Sequence, residues 1–147
     1  MDPTRRLHVF DRFDIQLGRS NGIREIFHEN MRRAQVTTPI IHEGDLFETL
    51  PDGLPDLIAF AHIDLGTGGG KESHAKLIEH SLQHLYPRLV RRGVIVFMDY
   101  HDPKFTVKGF DANPGAKVAV DRFFEDKPEK IRLLFGGACS HAYMRKR

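Results

Sequence analysis

Apolar positions along this chain repeat in two ways, and their alternation sets the expected fold. Short runs rich in β-branched residues read as strands: "LHVF" at 7–10, "TPIIHEGD" at 38–45, "PDLIAFAHID" at 55–64 and "GVIVFMDY" at 93–100. Residues 57–63 are nearly continuous apolar sequence, which a strand covered on both faces requires. Between these runs, apolar residues recur at helical spacing. Ile23, Ile26, Phe27 and Met31 mark a helix over 21–34, with Asn21 in a capping position. Ala75, Ile78, Leu82, Leu85 and Leu89 form one stripe over 72–90, which Pro87 bends or ends. Residues 115–126 predict a helix burying Val118, Val120 and Phe123 or Phe124, and 130–147 read as two strands around a glycine turn. The order β-α-β-β-α-β-α-β-β predicts an α/β fold with a mainly parallel sheet.

Composition narrows the class without naming a chemistry. The 147 residues suffice for one core, so a single domain over 1–147 is expected. Hydrophobic residues make up 40% and charged residues 29%, an ordinary soluble mix. Lys plus Arg number 22 against 20 Asp plus Glu, a net charge of +2. That balance gives no support to nucleic-acid binding, although a local basic patch stays open. One cysteine, Cys139, excludes an internal disulfide and a cysteine-rich zinc site. With no secretory apolar segment behind "MDPTRR", it favours a reducing, cytoplasmic setting. No apolar run approaches the roughly 20 residues needed to cross a bilayer, so no membrane partner is expected.

The stretch "HIDLGTGGGKES" at 62–73 carries the sharpest chemical signal. It is not a phosphate loop: Glu72 stands where the Ser or Thr after Gly70-Lys71 would hold a metal, and Leu65 replaces the first glycine. Asp64, Gly66, Gly68 and Gly70 do fit a cofactor loop of the S-adenosylmethionine type, with a strand before, a helix after, and Asp99 as an acid for the ribose. That assignment leaves the rest of the sheet to come from residues before the loop, in the wrong order.

The whole chain offers another assignment. "VFDRF", "HEGDLFETLP", "DLIAFAHIDL", "LYPRLVRRGVIVFMDY" and "GAKVAVDRFF" follow one another in an order and spacing that resemble the macrocin O-methyltransferase family, over roughly residues 7–147. These are class I S-adenosylmethionine-dependent enzymes that methylate sugar hydroxyls. The resemblance implies a Rossmann-like, mainly parallel sheet with flanking helices and an antiparallel C-terminal strand. It also places the glycine loop after the family's fourth strand, away from the cofactor. Only six residues precede Leu7, so the family's first strand and its own glycine loop are not expected in this chain.

The site residues follow from that resemblance. Asp11 falls at the end of the family's second strand, where a carboxylate accepts from both ribose hydroxyls of S-adenosyl-L-methionine, and Phe13 matches a nearby aromatic. Gly44 and Asp45 match a Gly-Asp beside the adenine, where glycine permits close approach and Asp accepts from the exocyclic amine. Read from residue type alone, Asp11 and Asp45 are equally well turn residues closing strands. Asp64 and Asp99 match carboxylates that bind a divalent metal, usually Mg2+, which would hold substrate hydroxyls and acidify the one to be methylated. Asp64 and His101 are the candidate catalytic residues, and Asp102 is a third candidate ligand beside Asp64 and Asp99.

Two family carboxylates are replaced here, one by Gly66 and one by Met98. His101 and Asp102 in "DYHD" compensate, or else belong to a solvated loop. His62 reads as a satisfied core histidine, and His74, His80 and His84 as surface residues of one helix despite the i,i+4 spacing of the last two. Two functions therefore compete. One is an S-adenosylmethionine-dependent O-methyltransferase taking a small-molecule hydroxyl acceptor. The other is a catalytically degenerate remnant of that fold acting as a binding or dimerisation module, with self-association as a homo-oligomer expected from the missing strand.

Overall fold

A computed structural model describes residues 5–14, 22–66, 70–102, 114–136 and 139–147. The chain forms two compact units, Met1–Leu54 and Pro55–Arg147.

The first unit contains strand β1 (His8–Asp11), helix α1 (Ile23–Arg33), strand β2 (Ile40–Glu43) and helix α2 (Leu46–Gly53). β1 and β2 pair in parallel, with His8 opposite Ile40 and Asp11 opposite Glu43. α1 starts at Gly22, which is left-handed at φ 99° and makes no side-chain cap; Asn21 lies outside the described residues. The apolar stripe of α1 is shallow: none of its residues is fully buried, and Ile26 is 47% exposed. α2 is an element that the strand pattern does not predict. Asp45 caps it by accepting from the Phe47 N–H at 2.9 Å, satisfying one of the orphan donors of a helix start. Leu46, Leu50 and Leu54 are then buried.

The second unit contains β3 (Ile58–Ile63), α3 (Lys71–Arg88), β4 (Leu89–Phe97), α4 (Gly115–Phe124), β5 (Arg132–Gly136) and β6 (Cys139–Arg145). Its strands lie in the order β3-β4-β6-β5. β3 and β4 are parallel, with Ile63 opposite Phe97, and β6 runs antiparallel to both β4 and β5. The predicted stripe on α3 is buried throughout, and it packs on α4. α4 contributes Ala116, Ala119, Val120 and Phe124 to the core, so Phe124 rather than Phe123 faces inward, and Val118 is only half-buried. Ile95 and Phe97 of β4 meet Ala142 and Met144 of β6 beneath these helices. At the crossing of α3 and α4, Gly115 sits where an added Cβ would lie 2.4 Å from the Ala75 nitrogen.

Three positions depart from the sequence pattern. β3 is not covered on both faces: Phe60 is 60% exposed, and Ala59 and His62 are also exposed. Among the described residues β3 pairs with β4 alone. His62 is therefore no core histidine. His74 is: it is 2% exposed, one turn before Ile78 on the buried stripe. No helix among the described residues is long and apolar enough to cross a membrane.

Candidate active site

The sequence-predicted residues fall into two groups, one in each unit. In the first unit, Asp11 closes β1 and Gly44-Asp45 follow β2, so all three stand at the C-terminal ends of two adjoining parallel strands. The Gly44 N–H donates to the Asp11 carbonyl at 3.1 Å and ties the two ends together. Gly44 has φ 143° with Thr49 Cγ2 only 3.1 Å from where a Cβ would be, so the backbone there takes a form that favours glycine. Asp11 Oδ1 accepts from the Phe13 N–H at 2.7 Å and holds Phe13 at φ 53°. The Phe13 ring meets Phe27 of α1 edge-on at 5.8 Å. Asp45 already works for the fold as the α2 cap, and Arg12 stands 4.0 Å from its other oxygen.

In the second unit, Asp64 follows β3 and Asp99 follows β4. The Met98 N–H donates to the Ile63 carbonyl at 2.9 Å, extending the pairing and bringing the two exits side by side. This is the C-terminal edge at which open α/β sheets build sites. Asp64 is exposed and Asp99 half-buried. Asp99 is left-handed at φ 54°, a conformation rare outside glycine that must be held by its surroundings.

β6 holds it. The Asp99 N–H donates to His141 Nδ1 at 3.0 Å. The neighbouring Ser140, fully buried, donates to the Tyr100 carbonyl at 2.7 Å and accepts from the Asp102 N–H at 3.0 Å. The His101 N–H closes the turn on the Asp99 carbonyl at 2.9 Å. His101 is 8% exposed, so the solvated-loop alternative does not describe it; Asp102 is half-buried.

Below the turn, the Tyr100 phenol donates to Asp121 at 2.6 Å. Burial, reinforced by the Asp121 hydrogen bond, pushes its pKa up to about 12. Lys117 pairs with Asp121 and reaches the Tyr100 oxygen at 3.3 Å.

His74 braces the other exit. Its Nε2–H donates to the Leu65 carbonyl, just past Asp64, while Nδ1 accepts from the Gly115 N–H at 3.1 Å. Residues 67–69 and 103–113, which include most of the glycine run and the loop after Asp102, lie outside the described residues.

Sequence reasoning missed His74, Ser140 and His141 as supports. His74 was legible from its place one turn before Ile78; Ser140 and His141 carry no local signal, because their partners lie about forty residues away.

Among the described residues, no three His, Cys, Asp or Glu side chains are grouped to hold a metal ion. Asp64 and Asp99 still present oxygen ligands at adjoining strand exits, and Mg2+ is commonly held by one or two carboxylates with water completing its shell.

No family model matches the chain, and a search of curated proteins gives no significant match. Solved structures do match. CalS11, a TDP-rhamnose 3'-O-methyltransferase of calicheamicin biosynthesis, aligns over 98% of this chain with a TM-score of 0.66 at 24% identity. The O-methyltransferase NovP aligns over 98% with a TM-score of 0.64 at 18% identity. An O-methyltransferase from Bacillus cereus, solved in complex with SAH, aligns over 97% with a TM-score of 0.64 at 13% identity. The fold is that of class I methyltransferases. The chain spans 60%, 61% and 63% of these three proteins' lengths, respectively.

Proposed function

We propose that the chain is an S-adenosylmethionine-dependent O-methyltransferase domain acting on a hydroxyl of a sugar or small natural product, in a cytoplasmic setting. The observation that carries this reading is the placement of acidic residues at strand exits: Asp11 with Gly44-Asp45 on the parallel pair of the first unit, and Asp64 with Asp99 on the parallel pair of the second. It is supported by the likeness to solved O-methyltransferases, two of them described as a sugar-nucleotide methyltransferase and an SAH complex.

The chemistry asks for alignment and a base. Methyl transfer from a sulfonium is an in-line displacement, so holding the acceptor oxygen behind the methyl carbon lowers the barrier by removing orientational freedom. Asp11 would accept from the ribose hydroxyls, while the Gly44 backbone would allow close approach of the adenine. Asp64 and Asp99 would hold the acceptor's hydroxyls, and Asp64 or His101 would take the proton released as the oxygen attacks. Mg2+ held by Asp64 and Asp99, with Asp102 the third candidate, would supply charge that acidifies the hydroxyl. The Ser140–His141 support keeps the Asp99 turn set before substrate arrives.

A second reading has its own observation. Gly66 and Met98 stand where the resemblance calls for carboxylates, and this favours a degenerate binding or dimerisation module. Radiolabelled methyl transfer from S-adenosylmethionine onto a panel of sugar nucleotides and glycosides separates the two. The enzyme reading expects incorporation that Asp64→Ala abolishes; no incorporation on any acceptor favours the module.

A further inference from the structure

β5 and β6 end in a charge pattern that the fold does not use. Along β6 and the two residues after it, Tyr143, Arg145 and Arg147 alternate with the buried Met144 and with Lys146, whose ammonium turns away to the Tyr86 carbonyl at 2.7 Å. Across the ladder Arg132 lies opposite Tyr143. Continuing that antiparallel register by two residues brings Lys130 level with Arg145. Period-two alternation then puts all five side chains on one face, where they line a groove of about 320 Å³.

Among the described residues, no Asp or Glu side chain lines this groove. The nearby Glu129 is 6% exposed and committed inward, accepting from the Tyr86 hydroxyl at 2.7 Å and from the Arg147 N–H at 3.2 Å. Among the described residues, none of the four cations has a salt bridge to an acidic side chain. Lys130 and Arg145 stand level as like charges, a placement that does not favour the pairing of the hairpin.

We infer that this groove is a binding site for a compact oligophosphate, of the kind carried by a nucleoside diphosphate. Three guanidinium forks match phosphate oxygens in pairs, which a lysine-only patch would not. A single phosphoryl group carries about −1.5 to −2 charge, so four cations suit joined phosphates better than one carboxylate. The short cationic set and its tyrosine, five residues over three rungs of the hairpin, suit a compact group rather than a strand of nucleic acid, which needs a longer basic track. Tyr143, level with Arg132, stands at one end of the cationic set. The groove lies toward the end of β6 that pairs with the early part of β4, away from the Asp99 turn, so this inference stands apart from the proposed methyl-transfer site.

Titration calorimetry with inorganic pyrophosphate, ADP and a single-stranded RNA oligonucleotide tests it on the full chain. The expected result is saturable binding of pyrophosphate and ADP at one site per chain. Arg132→Gln with Arg145→Gln should weaken both by about tenfold or more, through loss of two charge-assisted contacts. The same double variant should melt no lower than the parent, since like charges are being removed. Should it fail to fold, Arg147→Gln at the exposed chain end serves instead, with about threefold weakening expected. Absence of saturable pyrophosphate binding, or binding that these variants leave unchanged, overturns the inference. RNA binding that tightens with oligonucleotide length while pyrophosphate fails to compete also overturns it, in favour of a nucleic-acid surface.

Discussion

His141 Nδ1 accepts the backbone N–H of Asp99 at 3.0 Å, so a strand-six side chain holds the strained residue that follows strand four. With the Ser140 hydrogen bonds, this contact joins the antiparallel end of the chain to the candidate site. Replacing His141 with Phe keeps the ring but strands the amide donor, at a cost of about 1–3 kcal/mol. Asn offers an acceptor at nearly the same position and should recover most of that loss. Urea denaturation measures the cost, and hydrogen exchange at the Asp99 amide should speed up in the Phe variant and not in the Asn one.

Tyr100 makes the second unit sensitive to alkali. Its folded pKa, raised to about 12 by burial and then by Asp121, lies above the ordinary value of 10.0. A raised pKa contributes stability that is complete below the unfolded value and is lost as pH climbs through the folded one. Stability should therefore fall between pH 10 and about 12. Tyr100→Phe should remove up to about 2 kcal/mol at neutral pH and flatten that alkaline loss, as read from urea midpoints at several pH values.

His42 sets an acid limit on the first unit. Burial, and then the charge of nearby His8, lower its pKa below the ordinary 6.5. Its ring stacks on Phe10 at 4.2 Å and exchanges a hydrogen bond with His8 at 3.0 Å. A lowered histidine pKa favours the neutral ring in the folded state, so this stability is present above 6.5 and declines as pH falls below it. NMR signals from β1 and β2 should broaden or shift on acidification, and His42→Phe should abolish that dependence.

Gly115 permits the closest helix approach in the second unit. A Cβ there would also lie 2.7 Å from the Lys71 carbonyl and from His74 Cβ, so backbone must move. Gly115→Ala should cost about 3 kcal/mol, at the upper end of overpacking, and appear as a lowered melting temperature. Gly70→Ala is the control, because nothing lies within 4 Å of its added Cβ.

How legible all this was in the sequence depended on the range of the interaction. The strand at 58–63, the 93–97 part of β4 and the stripe on α3 follow from local apolar spacing, and so does the antiparallel hairpin at the end. Residues 89–92 open β4, although the helical stripe includes Leu89. α2 escaped because "DLFETLPDG" carries Pro51 and a short apolar run, and its start rests on one cap from Asp45. Phe60 misled in the other direction: an apolar run signals what a strand can bury, while its exposure depends on which neighbours pair with it. Asp11, Asp64 and Asp99 were singled out by the family resemblance, and their place at strand ends is a local feature of the sequence. Ser140 and His141 were not, since a buried serine in a strand becomes a support only when the sheet places it beneath residues 99–102.

The central claim is that the strand exits of the first unit hold the nucleoside of a sulfonium cofactor. Isothermal titration of the 147-residue chain with S-adenosylhomocysteine tests it most directly. The account predicts one saturable site, weakened by about tenfold or more in Asp11→Ala through loss of charge-assisted bonds to the ribose. No heat at millimolar ligand, or an affinity that Asp11→Ala leaves unchanged, would contradict it.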